Sequence, residues 1–150
     1  MFGNRDTFDF KSIYFNGTQH LTLVLGHLVD AGPDQKQTGI VMNTAFEVLE
    51  KITARDTDDR HTFLDVHDFN IIEDGKNSLW TTYKVERTNK TELGLPVDAN
   101  PKIGNGGFRE EVIATGDVVF EWDSLDHLSI DESYNAAGVT EKGRPFWDYL

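Results

Sequence analysis

A strand-and-turn layout that occurs twice is the strongest constraint on what this chain can fold into. Residues 10–15 (FKSIYF) form an apolar, aromatic run, and Asn16-Gly17-Thr18 separates it from a second run at 20–29 (HLTLVLGHLV). Asn-Gly between two such runs signals a hairpin, because both residues tolerate positive φ. Residues 38–43 (TGIVMN) predict a third strand. Residues 44–53 read two ways. Thr44 with Glu47 has the form of a helix capping box, and Ala45, Val48, Leu49 and Ile52 fit a helical stripe. Phe46, Val48 and Ile52 also fit strand alternation, and the repeat favours strand.

The second half reuses this plan. Residues 63–72 (FLDVHDFNII) predict a strand, Glu73-Asp74-Gly75-Lys76-Asn77 a turn, and 78–85 (SLWTTYKV) the next strand. A polar stretch, 86–107, carries Pro96, Pro101 and Gly104-Asn105-Gly106-Gly107, which reads as loop. Residues 108–114 (FREEVIA) then face 118–122 (VVFEW) across Thr115-Gly116-Asp117. Asn16 and Asp74 mark equivalent first turns. A period of about 58 residues, with four antiparallel strands in each unit, falls in the range of propeller blades. The expected fold class is therefore all-β: about two four-stranded blades, over 9–55 and 62–124, of an incomplete β-propeller. On this reading residues 125–150 begin the next segment, and residues 1–150 form a partial domain. Propellers close with about four to eight blades, and two would leave sheet edges exposed. The chain thus reads as a piece of something larger, with a compact eight-stranded sandwich as the structural alternative.

Composition narrows the function classes. The chain of 150 residues has 38% hydrophobic residues, enough for a core. Fourteen Lys and Arg against 26 Asp and Glu give a net charge of −12, which repels nucleic acid and anionic membranes. The absence of cysteine excludes disulfides, thiolate metal sites and a cysteine nucleophile. No run approaches the roughly 18 apolar residues of a membrane span. The first residues lack the apolar stretch of a signal peptide.

Few motifs suggest chemistry. His20, His27, His61, His67 and His127 form no HExxH pattern and no cluster of metal-ligand spacing. Asp56-Thr57-Asp58-Asp59 lacks the glycine and the final Glu of a calcium loop and reads as a solvated loop. There is no phosphate loop, dinucleotide fingerprint or G-x-S-x-G elbow. Neither a metal nor a bound cofactor is implied. Trp80, Trp122 and Trp147 read as core anchors. Asn16-Gly17-Thr18 and Asn89-Lys90-Thr91 match the glycosylation pattern, which also arises by chance. His67, in Asp65-Val66-His67-Asp68-Phe69, is the candidate site residue. It lies in a first strand, which in a propeller lines the axial channel. There it can meet an anion or exchange a proton near neutral pH. The plainer alternative is a strand histidine satisfied by Asp65 or Asp68.

Several motifs in order resemble the arylsulfotransferase family, its fungal branch in particular. They are Asp-Val-His67-Asp-Phe with the Asp-Gly after it, Gly107-Phe-Arg-Glu-Glu-Val-Ile-Ala-Thr-Gly-Asp-Val-Val-Phe-Glu-Trp122, Ser124-Leu-Asp-His127, Glu132-Ser-Tyr134 and Trp147-Asp-Tyr149. The likeness is close over about 60–150 and loose over 10–55. It implies a six-bladed propeller. It also implies sulfuryl transfer from an aryl sulfate to a phenol without a nucleotide sulfate donor. In the family a channel histidine acts as nucleophile through a sulfohistidine, and other histidines, an arginine and an asparagine neutralise charge. By this resemblance His67 is a sulfate-channel histidine, and His127 belongs to an element of structural character. Family members continue from Trp-Asp-Tyr/Phe-Phe into His-x-Asn. No His-x-Asn occurs here, and the nucleophile has no counterpart, so the expectation is a truncated and inactive fragment. A non-catalytic binding or scaffold propeller is the alternative. The expected partners are an aryl sulfate and a phenol if the chain is active. Secretion is the expectation for an intact parent protein.

Overall fold

The computed structural model describes residues 5–26, 37–53, 62–87, 102–129 and Glu132. It is all-β. Strands β1 (Asp6–Phe15), β2 (Thr18–Gly26), β3 (Thr38–Asn43) and β4 (Val48–Thr53) form one antiparallel sheet in chain order. Strands β5 (Thr62–Ile72), β6 (Asn77–Arg87), β7 (Lys102–Val112) and β8 (Val118–Asp123) form the other, also in chain order. Short 3-10 turns occupy Glu73–Gly75 and Ser124–Asp126. Among the described residues no helix is long and apolar enough to cross a membrane.

The hairpins explain the repeat. Phe15 pairs with Thr18 around a two-residue turn in which Asn16 has φ 50° and Gly17 has φ 69°. This is the left-handed pair that suits the twist of adjoining strands. Ile72 pairs with Asn77 around a longer turn, where Asp74 has φ 53° and Gly75 has φ 90°. The two turns touch: the Asn16 N–H donates to Asp74 Oδ1 at 2.7 Å.

The ambiguous stretch 44–53 is strand only from Val48. Asn43 replaces the capping box with a different device. Its Oδ1 accepts from the N–H of Ala45 (2.9 Å) and Glu47 (3.0 Å), and its Nδ2 donates to Glu47 Oε2 at 2.6 Å. These bonds hold Phe46 at φ 63°, a costly position for a residue with a Cβ. Asn43→Ala is therefore expected to lose about 1–2 kcal/mol of stability by urea denaturation.

One sequence expectation is corrected. Residues 102–107 are strand, not loop, and Glu86 and Arg87 belong to β6. At Gly107 the glycine serves close approach within the sheet. Gly107 pairs with Thr82, and a Cβ there would strike the Trp122 carbonyl and crowd Asp123 Oδ1 and Thr82 Oγ1. Asn105 Oδ1 accepts from Ser124 Oγ (2.8 Å) and the Leu125 N–H (3.1 Å), tying β7 to the turn after β8.

The sheets pack face to face, with β5 against β1 and β2. Val24, Val41 and Ile52 from the first sheet join Leu64, Val66, Phe69 and Trp80 from the second in one buried cluster. Gly39 makes room for the Phe69 ring, since a Cβ there would lie 2.5 Å from its Cζ. The other face of the first sheet is also apolar and buried, through Leu23, Leu25, Ile40 and Met42. Burial on both faces is why β2 reads as an almost unbroken apolar run.

Candidate functional site

The register of β5 against β6 breaks between Leu64, which pairs with Thr82, and Phe69, which pairs with Trp80. Four residues on β5 therefore face a single residue, Thr81, on β6. Such bulges re-aim side chains. This one turns Asp65 inward and His67 outward: their side chains are 9% and 67% exposed. The buried carboxylate holds the exposed ring. His67 Nδ1 lies 2.9 Å from both Asp65 oxygens, the His67 N–H donates to Asp65 Oδ2 at 3.3 Å, and Thr81 Oγ1 donates to the same oxygen at 3.1 Å. Of the two carboxylates named as partners for a satisfied histidine, Asp65 is the one engaged.

The bulge is braced from the first sheet. Asp9, itself in a β1 bulge with φ 47°, accepts the Phe69 N–H at 2.7 Å through Oδ2. Lys11 Nζ bridges Asp9 Oδ2 (2.8 Å) and Asp68 Oδ1 (3.0 Å). Burial lowers the Lys11 pKa, but hydrogen bonds and charges of Asp9 and Asp68 outweigh it and leave it raised. Lys11 is thus committed to carboxylates, and His67 and Asp68 are the groups this cluster exposes.

A second polar cluster escaped the sequence reading. Lys84 and Arg109 are buried on the Trp80 face of the second sheet. Lys84 Nζ lies 2.5 Å from Asp123 Oδ2 and 2.9 Å from Glu121 Oε1. Arg109 Nη2 lies 2.5 Å from Glu121 Oε1, its Nη1 lies 3.4 Å from Glu111 Oε1, and its guanidinium carbon stands 5.7 Å from the Trp80 ring centroid. Two cations thus meet three carboxylates. Both cations are buried against these carboxylates, so the cluster ties β6, β7 and β8 together rather than presenting a charge outward. The i, i+2 pairs Arg109/Glu111 and Glu121/Asp123 signal charges on one face, but the sequence does not give the register that joins them.

Among the described residues, the other two histidines pack against aromatic rings. His20 is buried and stacks on Phe15 with ring centroids 3.8 Å apart. His127 stacks on Trp122 at 5.3 Å. His27, His61, Asp56 to Asp59, Asn89, Tyr134 and Trp147 lie outside the described residues. No group of three or more metal-ligating side chains occurs among the described residues.

A family model described as arylsulfotransferase (ASST) matches residues 29–150. The chain belongs to the arylsulfotransferase family. The match includes all of the second sheet and begins within the first. No curated protein and no solved structure matches the chain.

Proposed function

We propose that this arylsulfotransferase-family chain carries part of a sulfate-binding channel, and that His67 meets the sulfuryl group of an aryl sulfate there. The observation that carries this reading is an exposed imidazole fixed by a buried carboxylate, on the edge strand where the two sheets adjoin. Protonated, the ring donates outward to a sulfuryl oxygen while Asp65 takes its other N–H. The sheets are read as adjacent blades of a propeller. Counting six residues from each hairpin's closing pair reaches Val24 opposite Gly39 in the first sheet and Tyr83 opposite Gly106 in the second. The second sheet thus repeats the glycine that seats Phe69 in the first.

On this reading the 150 residues bind but do not turn over, because they contain no His-x-Asn and the lone histidine of the β5 bulge is not a full sulfuryl cradle. Incubation with 4-nitrophenyl sulfate and a phenol acceptor is expected to release no 4-nitrophenol. Binding is expected to be weak, with Kd of about 1 mM, and about tenfold weaker in His67→Ala, the loss of one charge-assisted hydrogen bond. Turnover that vanishes in His67→Ala would contradict the binding-only reading.

A scaffold role is the second reading. The stacked Phe108, Phe120 and Trp122, of which Phe108 is 37% and Phe120 48% exposed, favour it. Closed rings of several copies in sedimentation, with no aryl sulfate binding, would favour it over the channel.

A further inference from the structure

We infer that Asp65 is a positioning residue that fixes which nitrogen of His67 meets a ligand. The inference deepens the channel reading and rests on it only for the identity of the ligand. A histidine ring offers two inequivalent nitrogens, and the hydrogen bond made by one decides the role of the other. At His67 the choice is made by geometry. Nδ1 lies 2.9 Å from each Asp65 oxygen, and an ionised carboxylate can only accept, so Nδ1 carries a proton. Nε2 is then the outward atom in both charge states: a donor when the ring is protonated, a lone pair when it is neutral.

Three features hold Asp65 to this task. Its side chain is 9% exposed, so its oxygens face protein donors rather than water. Thr81 Oγ1 and the His67 N–H both donate to Oδ2, which fixes the carboxylate plane. Thr81 Oγ1 also lies 3.4 Å from the Asp68 carbonyl, which keeps the hydroxyl beside the bulge that carries the ring. Free imidazole side chains favour a proton on Nε2 when neutral, so the arrangement selects the less common form.

Long-range 1H–15N spectra of the 15N-histidine-labelled chain at about pH 9 read the tautomer directly, with His67→Gln assigning the signal. In the wild type His67 is expected as the Nδ1–H form. In Asp65→Asn, with unchanged circular dichroism, the Nε2–H form is expected to become the major one. Wild-type His67 found as Nε2–H overturns the inference, as does a folded Asp65→Asn chain with an unaltered Nδ1–H signal. If Asp65→Asn does not fold, Thr81→Val supplies the test: an increased Nε2–H share supports the role, an unchanged share overturns it, and Thr81→Ser is expected to restore the wild-type spectrum. These spectra need no ligand. Failure of 4-nitrophenyl sulfate to bind would end the channel reading and leave the tautomer assignment standing. An Nε2–H ring in a chain that binds the sulfate would do the reverse.

Discussion

Trp80→Ala is expected to remove about 3–5 kcal/mol of stability, a large share of the roughly 5–15 kcal/mol that holds a domain folded. Trp80 is 1% exposed and lies in the cluster shared by the two sheets. Truncation opens a cavity between Val24, Val41 and Ile52 on one side and Leu64 and Phe69 on the other. The sheets are each hydrogen-bonded internally and cannot collapse strand by strand into that space, so little of the loss is recovered. The Arg109 guanidinium also loses the ring it stands over. Urea denaturation followed by circular dichroism measures the effect. A loss below about 1 kcal/mol would mean that Trp80 does not join the sheets.

Arg109→Met is expected to cost about 3 kcal/mol, because it strips Glu111 and Glu121 of a shared cation in a buried setting. The value stands at the lower end of the range for broken buried pairs because the Glu121 side chain is 30% exposed and keeps Lys84. The pH dependence gives a sharper signature. Burial pushes Glu121 up, but hydrogen bonds from Arg109 and then Lys84, with their charges, outweigh it and hold its carboxyl below the usual 4.5. A carboxylate lowered on folding contributes stability above its unfolded pKa, and that contribution is lost as pH falls through the folded value. Lys84 is the opposite case: burial lowers it, Asp123 and Glu121 raise it above 10.5, and its contribution is lost only as pH rises past that. The cluster therefore favours the fold across the whole interval between these limits. Arg109→Met removes the strongest partner of Glu121, so its acid-unfolding midpoint is expected to move to higher pH. An unchanged acid midpoint would place the charges outside the stability of the native sheet.

The strands were legible because each hairpin announces itself chemically. Asn16-Gly17 supplies two left-handed residues, and the apolar run after it is buried on both faces. The glycines at 104–107 misled for a physical reason: glycine serves turns and close packing alike, and only the paired strand shows which. Asn43 was hidden similarly, since a side chain closing its own turn leaves no mark distinct from an ordinary strand end. His67 stood out through its position in a first strand and through a family resemblance. Its outward direction did not, because alternation along β5 fails where four residues bulge between Leu64 and Phe69. The partners Asp9 and Lys11 were out of reach for the same reason: they come from the other sheet, across a spacing no local pattern records.

The most direct test of the channel reading is titration of the 15N-histidine-labelled chain with 4-nitrophenyl sulfate and, in parallel, with 4-nitrophenol. The expected result is a saturable shift of the His67 Nε2 signal with the sulfate alone, with His20 and His127 unmoved. No shift at His67, or the same shift with the phenol, would contradict it.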